Sequence, residues 1–317
     1  MRRNRTLAPG AVLLALVVSA CTPGGGGSPS ATPGGGEPVS SPAGELPAIT
    51  IGSAAFWESA VVAEIYAQAL ERGGFTVERN LETGPRDVTL PALVDGQLDL
   101  MPEYIGGLLA DGYDGEPTPD VNASLTALRE QLEADGLVAF EPTPGTDADG
   151  FAVRQETAEE LDLATMSDLA EVAGDLRWGV AQECGDNPNC GPGLERVYGI
   201  DLEQLEVETL GACSTAVAEA LNASNIDVAQ VCTTQPEIVA FNLVLLDDDG
   251  GLAPAQNIVP VVRREVADAG GGLLEQTLNS VSELLTTEEL TNLGNAVVIN
   301  QESYDDAASQ WLEDHGL

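Results

Sequence analysis

Two glutamates, Glu58 and Glu103, are of the right type for proton-transfer chemistry, since paired carboxylates facing one cleft can serve hydrolysis as acid and base. The rest of a catalytic apparatus is missing. The one histidine, His315, is third from the C-terminus, where backbone tends to fray. Ser-His-Asp, Cys-His and His-rich zinc arrangements are therefore excluded. There is no nucleophile elbow. The runs Gly24–Gly27 and Gly34–Gly36 lack the Lys-Ser/Thr that completes a phosphate-cradling loop. Asp247, Asp248 and Asp249 lack the full spacing of a calcium loop and read as a solvated hinge. No metal site and no cofactor are expected.

Binding is a better use of the chemistry-bearing residues. Trp57 follows a strand end and opens a helix, a position that faces a ligand cleft in open α/β folds. Thr233 and Thr234 end a later strand and face the same way. Phe56 reads as core. Four cysteines, Cys184, Cys190, Cys213 and Cys232, allow three pairings. Cys184 and Cys190 bracket the turn-rich Gly185–Asn189, so 184–190 with 213–232 is the preferred set. A zinc site is the competing reading, but the CxxC pairs and histidines of zinc ribbons are absent.

Charge narrows the partners. The 317 residues carry 12 basic side chains, all arginine, against 52 acidic ones, for a net charge of −40. Nucleic acid and anionic lipid are both disfavoured, because each is recognised by clustered basic residues. The acidity is expected to keep a surface protein soluble. With 43% apolar residues the chain still has the material for a core.

The N-terminus supplies an address. Arg2, Arg3 and Arg5 precede an apolar run, Ala11 to Val18, that is too short to span a bilayer comfortably and matches an export signal. Val18-Ser19-Ala20-Cys21 resembles a bacterial lipobox, which makes residues 1–21 a lipoprotein signal peptide with Cys21 as the lipidation site. Residues 22–47 contain eight Gly and six Pro and read as a flexible tether. The expected location is the outer face of the cell membrane, held there through the N-terminal lipid. An oxidising compartment favours disulfides.

From Ala48 the pattern is strand, helix, strand. Ala48–Gly52 reads as a buried strand, Glu58–Arg72 as a helix ended by Gly73-Gly74, and Phe75–Arg79 and Leu98–Met101 as strands. The pattern repeats with strands at Leu176–Val180, Glu206–Leu210 and Ile226–Val231 and a helix at Ser214–Leu221. Helices follow at Gly272–Leu285, Thr287–Val297 and Ser303–Asp314. Parallel strand pairing is expected, with helices on the sheet faces. The fold class is α/β, with two lobes joined by crossings at Thr143–Gly150 and Asp247–Ala255. Lobe one takes residues 48–146 and 255–317, and lobe two takes 147–254.

Three ordered stretches carry a resemblance. They are Ile51–Glu58 (IGSAAFWE), Leu93–Gly107 (LVDGQLDLMPEYIGG), and Ala220–Ile238 (ALNASNIDVAQVCTTQPEI) with Leu245–Asp249 and Val259–Arg263 after it. Together they resemble the glycine betaine/choline/osmoprotectant family of ABC-transporter substrate-binding proteins across roughly residues 48–317. The resemblance implies a bilobed periplasmic-binding-protein-like fold. It also implies a monomer that closes on a small-molecule solute and delivers it to an ABC permease driven by a separate ATPase.

Family members that bind quaternary ammonium surround the cation with aromatic rings. Tyr104 keeps one such position, whereas Cys232 and Ala148-Asp149 stand where relatives carry rings. Trp57 offers a replacement face, and Trp178 or Tyr198 could contribute from lobe two. The expected ligand-binding residues are Trp57, Glu58, Tyr104, Asp149, Thr233 and Thr234. Glu58, Glu103 and Asp149 would balance a cation. Arg154, Thr233, Thr234 or helix N–H groups would meet a carboxylate. Three alternatives stand beside this: the same transport role with a different small polar or cationic solute, a cell-surface hydrolase using cleft carboxylates, and a surface interaction protein without a small ligand.

Overall fold

A computed structural model describes residues 46–317. The signal peptide, Cys21 and nearly all of the tether lie outside the described residues. Among the described residues no helix is long and apolar enough to cross a membrane.

The chain opens with strand β1 (Ala48–Ala54), helix α1 (Trp57–Arg72) and strand β2 (Thr76–Gly84). Helix α2 (Arg86–Val94) leads to β3 (Leu100–Tyr104). Burial runs all round α1 from Glu58 to Leu70, so this helix is enclosed rather than amphipathic at a surface. It packs on β1 and β2 and is covered by the helices Arg264–Ser282 and Tyr304–His315. Its end is set where Gly74 takes φ +91°, a conformation that costs glycine little.

Two five-stranded sheets divide the molecule. The first has the order β2-β1-β3-β10-β4, with β4 at Leu137–Ala139 and β10 at Ile258–Arg263. The second has the order β7-β6-β8-β5-β9, drawn from β5 (Asp149–Arg154), β6 (Arg177–Val180), β7 (Glu206–Thr209), β8 (Val228–Cys232) and β9 (Leu243–Leu245). The second sheet is thus built wholly from chain inserted between β4 and β10 of the first.

Strand pairing is mixed, not uniformly parallel as the strand-helix-strand pattern implied. β1 runs parallel to β2 and β3, and β6 to β7 and β8. β10 is antiparallel to β3 and β4, and β5 to β8 and β9. The cause is the insertion. The outgoing and returning crossings lie side by side in opposite directions, joined by an antiparallel bridge between Thr146 and Asn257. β10 continues the returning direction and enters the first sheet reversed.

The crossings are held by side chains. Asn257 Nδ2 donates to the Thr143 carbonyl at 3.0 Å, and the Ile258 N–H donates to Thr143 Oγ1 at 3.0 Å. Thr233 Oγ1 donates to the Thr146 carbonyl at 2.6 Å while accepting the Ala148 N–H at 3.0 Å. The Asp247–Asp249 segment is a built turn, not just solvated chain: Asp248 accepts the N–H groups of Leu252 and Ala253, both at 2.8 Å.

Lobe two contains both disulfides, Cys184–Cys190 and Cys213–Cys232. The first is fully buried in the lobe-two core, which also holds Trp178 and Phe151 edge to face at 5.6 Å.

Candidate functional site

The strand-to-helix turn after β1 determines where α1 begins. Ser59 Oγ accepts the Ala54 N–H at 2.9 Å, and Ser53 Oγ accepts the Glu82 N–H at 2.7 Å, so the turn is pinned from both sides. Gly52 admits the Leu98 side chain, which a Cβ would meet at 2.5 Å. The result is that Phe56, Trp57 and Glu58 emerge together at the N-terminal end of α1, facing lobe two.

A hollow of about 260 Å³ lies there, walled by Phe56, Trp57 and Glu58 from lobe one and by Thr234, Gln235 and the Cys213–Cys232 disulfide from lobe two, with Asp147 from the outgoing crossing. Trp57 also bridges the lobes. A Cβ at Gly294 would sit 2.6 Å from its Cη2 and 2.8 Å from Cγ of Pro236, so the ring and that proline both close on the glycine. A second hollow of about 320 Å³ adjoins, sharing Phe56 and lined also by Arg86, Thr89, Glu103 and Tyr104. The Phe56 and Tyr104 rings are 5.9 Å apart and tilted.

Glu58 is the electrostatic centre. Its carboxyl is 1% exposed and accepts one hydrogen bond, from the Tyr104 hydroxyl at 2.6 Å. Burial first, and the nearby charge of Asp147 second, push Glu58 up to about 8. Burial, with the charge of Asp149 adding to it, pushes Asp147 up to about 6. The Thr234 hydroxyl donates to Asp147 at 2.9 Å and tempers both carboxyls. Burial also raises Tyr104, with Glu58 next in weight, so its hydroxyl stays a donor.

The expected site residues divide into groups. Trp57, Glu58 and Thr234 line one hollow. Tyr104 touches that hollow only through its bond to Glu58, and its ring borders the neighbouring one. Asp149 lies beside the disulfide, 3.8 Å from Cys213 Sγ, and burial raises it. Thr233 is spent on the crossings. Its hydroxyl braces Thr146 and Ala148 and borders a different cavity.

Other expectations are corrected. Arg154 does not reach the hollow: it pairs with Asp227 at 2.9 Å and donates to the Leu221 and Ile226 carbonyls. Glu103 pairs with Arg86 at 2.9 Å and borders the second hollow, so it does not face Glu58 as a catalytic partner. Trp178 is fully buried, with its indole N–H on the Ala173 carbonyl, and Tyr198 bonds Asp248. Phe56, read as core, is 41% exposed and belongs to both hollows. Asp147 and Gln235 are site residues that sequence reasoning missed. The polar stretch Thr143–Gly150 holds two aspartates, and only the fold chooses between them.

A larger cavity, about 500 Å³, lies around the crossings and not at these carboxylates. Of its polar groups, Thr233, Asp248 and Asn257 already bond backbone, while Asp149 and Asp247 also border it. The 260 Å³ hollow, though smaller, gathers the unmatched polar chemistry.

Comparison with known proteins gives a consistent outcome. Residues 47–314 match the family model described as the substrate binding domain of ABC-type glycine betaine transport system. The glycine betaine-binding protein YehZ of Escherichia coli strain K12 is 26% identical over 277 residues, covering 84% of this chain and 90% of that protein. The carnitine transport binding protein OpuCC of Listeria monocytogenes is 28% identical over 254 residues, covering 77% and 79%. A crystal structure titled as a glycine betaine/carnitine/choline ABC transporter superposes with a TM-score of 0.79 at 22% identity, covering 86% of this chain and 99% of that one.

Proposed function

The chain belongs to the family of substrate-binding domains of ABC-type glycine betaine transport systems, and from that premise we propose that it captures a small quaternary-ammonium solute of the glycine betaine/choline type between its lobes and hands it to a permease. The observation that carries this reading is the hollow itself. Phe56 and Trp57 offer ring faces on one side and Glu58 and Asp147 offer carboxylates, while lobe two closes the opposite wall. A trimethylammonium group needs such an environment, because it attracts ring faces and anions and donates no hydrogen bonds.

The solute leaves unchanged in this reading. Glu103, the carboxylate that the hydrolase reading pairs with Glu58, is committed to Arg86 and lines the neighbouring hollow. Cys21 carries the lipid that holds the protein at the outer face of the membrane, and the protein acts as a monomer. Calorimetric titration with glycine betaine, choline and carnitine tests the binding, and recovery of intact solute tests the absence of turnover. Saturable binding of at least one of the three is the expected result. If the folded protein is silent to all three, the solute assignment fails. Cys21→Ala should leave the protein in the soluble fraction.

A second reading keeps the transport role and changes the solute to another small cation. It is favoured by the thin aromatic complement, since only Phe56 and Trp57 bring rings to the hollow that holds Glu58.

A further inference from the structure

Among the described residues, three buried side-chain polar atoms have no hydrogen-bond partner: Glu58 Oε2, Gln235 Oε1 and Thr89 Oγ1. All three lie on the two adjoining hollows, Glu58 and Gln235 on the first and Thr89 on the second. Glu58 and Gln235 are 1% and 4% exposed, so solvent does not satisfy them freely. A buried acceptor left unpaired is costly; Gln235 Oε1 is one, Glu58 Oε2 becomes a second when its carboxyl ionises, and both then point to a donor arriving with the solute.

Three side-chain donors of this hollow are, by contrast, already engaged. The Thr234 hydroxyl bonds Asp147, the Thr215 hydroxyl bonds Glu237 at 2.6 Å, and the Gln235 amide donates to the Ser214 carbonyl at 3.1 Å. No arginine lines it, while Glu58, Asp147 and Glu237 do. The first turn of α1 and the Trp57 indole N–H are the features that would attract an anion, and the carboxyls of Glu58 and Asp147 stand beside them. A carboxylate on the solute would meet three carboxyl groups and no guanidinium.

We infer that the cleft selects a net cation that carries a hydrogen-bond donor and no carboxylate, as an ammonium alcohol does, over zwitterions of the same size. This rests on the transport reading above and narrows its solute class. The hydroxyl donates to Glu58 Oε2 or Gln235 Oε1, and the cationic head sits among Phe56, Trp57 and Asp147.

Three probes separate charge from donor in calorimetric titrations of the purified protein. Choline has the cation and the hydroxyl, its methyl ether has the cation alone, and glycine betaine replaces the hydroxyl with a carboxylate. The expected result is choline at least about 10-fold tighter than either of the others. Glu58→Gln should cost choline about 10-fold and narrow its lead over glycine betaine. Glycine betaine binding as tightly as choline would overturn the inference while the transport reading stands. Equal binding of choline and its ether overturns the role given to the donor. Absence of binding for all three, with circular dichroism reporting a folded protein, defeats both the inference and the solute assignment it rests on.

Discussion

Glu58 and Glu64 sit six residues apart on α1, both buried, and they are treated in opposite ways. Glu64, 3% exposed, receives Arg79 through both oxygens at 2.7 and 2.9 Å and the Gln68 amide at 3.0 Å. Glu58, equally buried, has one hydroxyl partner and one bare oxygen. Burying a carboxylate is costly unless charge and hydrogen bonds match it. Away from the cleft the fold supplies that match from its own side chains. At the cleft it leaves the match incomplete, which is where a solute contributes binding energy. Asp227 repeats the first pattern in lobe two: Arg177 and Arg154 outweigh its burial and hold it down near 2.

The strongest way to disturb the comparison is to loosen the wall opposite Glu58. The Cys213–Cys232 bridge closes a 19-residue separation, and Cys213 is exposed at a positive φ of 51°. Replacing both cysteines with alanine should cost about 3 kcal/mol of stability by loop-closure entropy. Affinity should fall with it, because Thr234 and Gln235 lie only two and three residues beyond Cys232. Urea unfolding beside calorimetry separates the two effects, and an unchanged affinity would make this bridge purely structural.

Glu64→Gln attacks the matched member of the pair. It should cost about 2 kcal/mol, below the usual loss for breaking a buried pair, because Arg79 is 29% exposed and keeps Glu71 at 2.7 Å. Solute affinity should not change. A loss of affinity equal to that of Glu58→Gln would erase the distinction between the two glutamates.

Gly294→Ala tests whether Trp57 must sit where it does. The backbone there is ordinary helix, so no strain arises, but the new methyl meets Trp57 and Pro236 well inside contact distance. Overpacking of this kind costs about 1–2 kcal/mol, and because it falls between the lobes it should appear as roughly 10-fold weaker binding. Unaltered binding would mean that the ring can move without consequence.

Much of the scaffold is legible along the chain, and the reasons for the exceptions are physical. Helical periodicity exposes α1, and the caps at Ser214, Thr286 and Ser303 are visible as residue types; each accepts an N–H from the first turn. The reversal of β10 is not visible, because strand direction there is set by the insertion of lobe two and leaves no local trace. The position of Trp57 at the head of α1 can be read from a strand end followed by a helix start. Phe56 misleads because an apolar ring between two buried elements normally joins the core. Asp147 and Gln235 are hidden for a different reason: nothing in a polar turn says which side chain a tertiary contact will use.

The smallest expected effect is also the one that probes Glu58 most directly. A carboxyl raised to about 8 in the folded state, against an ordinary value of 4.5, favours the folded protein while it keeps its proton. That contribution is full below 4.5 and is lost as pH climbs through 8. A cation shifts the preference the other way, because it is attracted more strongly to the ionised form. Asp147, raised to about 6, responds in the same direction, while Asp149 and the Tyr104 hydroxyl face the pair. Affinity for a cationic solute should therefore rise by a few-fold, about 3 to 10, between pH 6 and pH 8.5. Binding near pH 7 should release a proton, seen as a dependence of the apparent heat on the ionisation heat of the buffer. Glu58→Gln should abolish most of that release and Glu64→Gln none of it, since Glu64 pairs with Arg79 and does not line the hollow. A pH-independent affinity, or release that survives Glu58→Gln, would place the solute away from Glu58 and undo the contrast between Glu58 and Glu64.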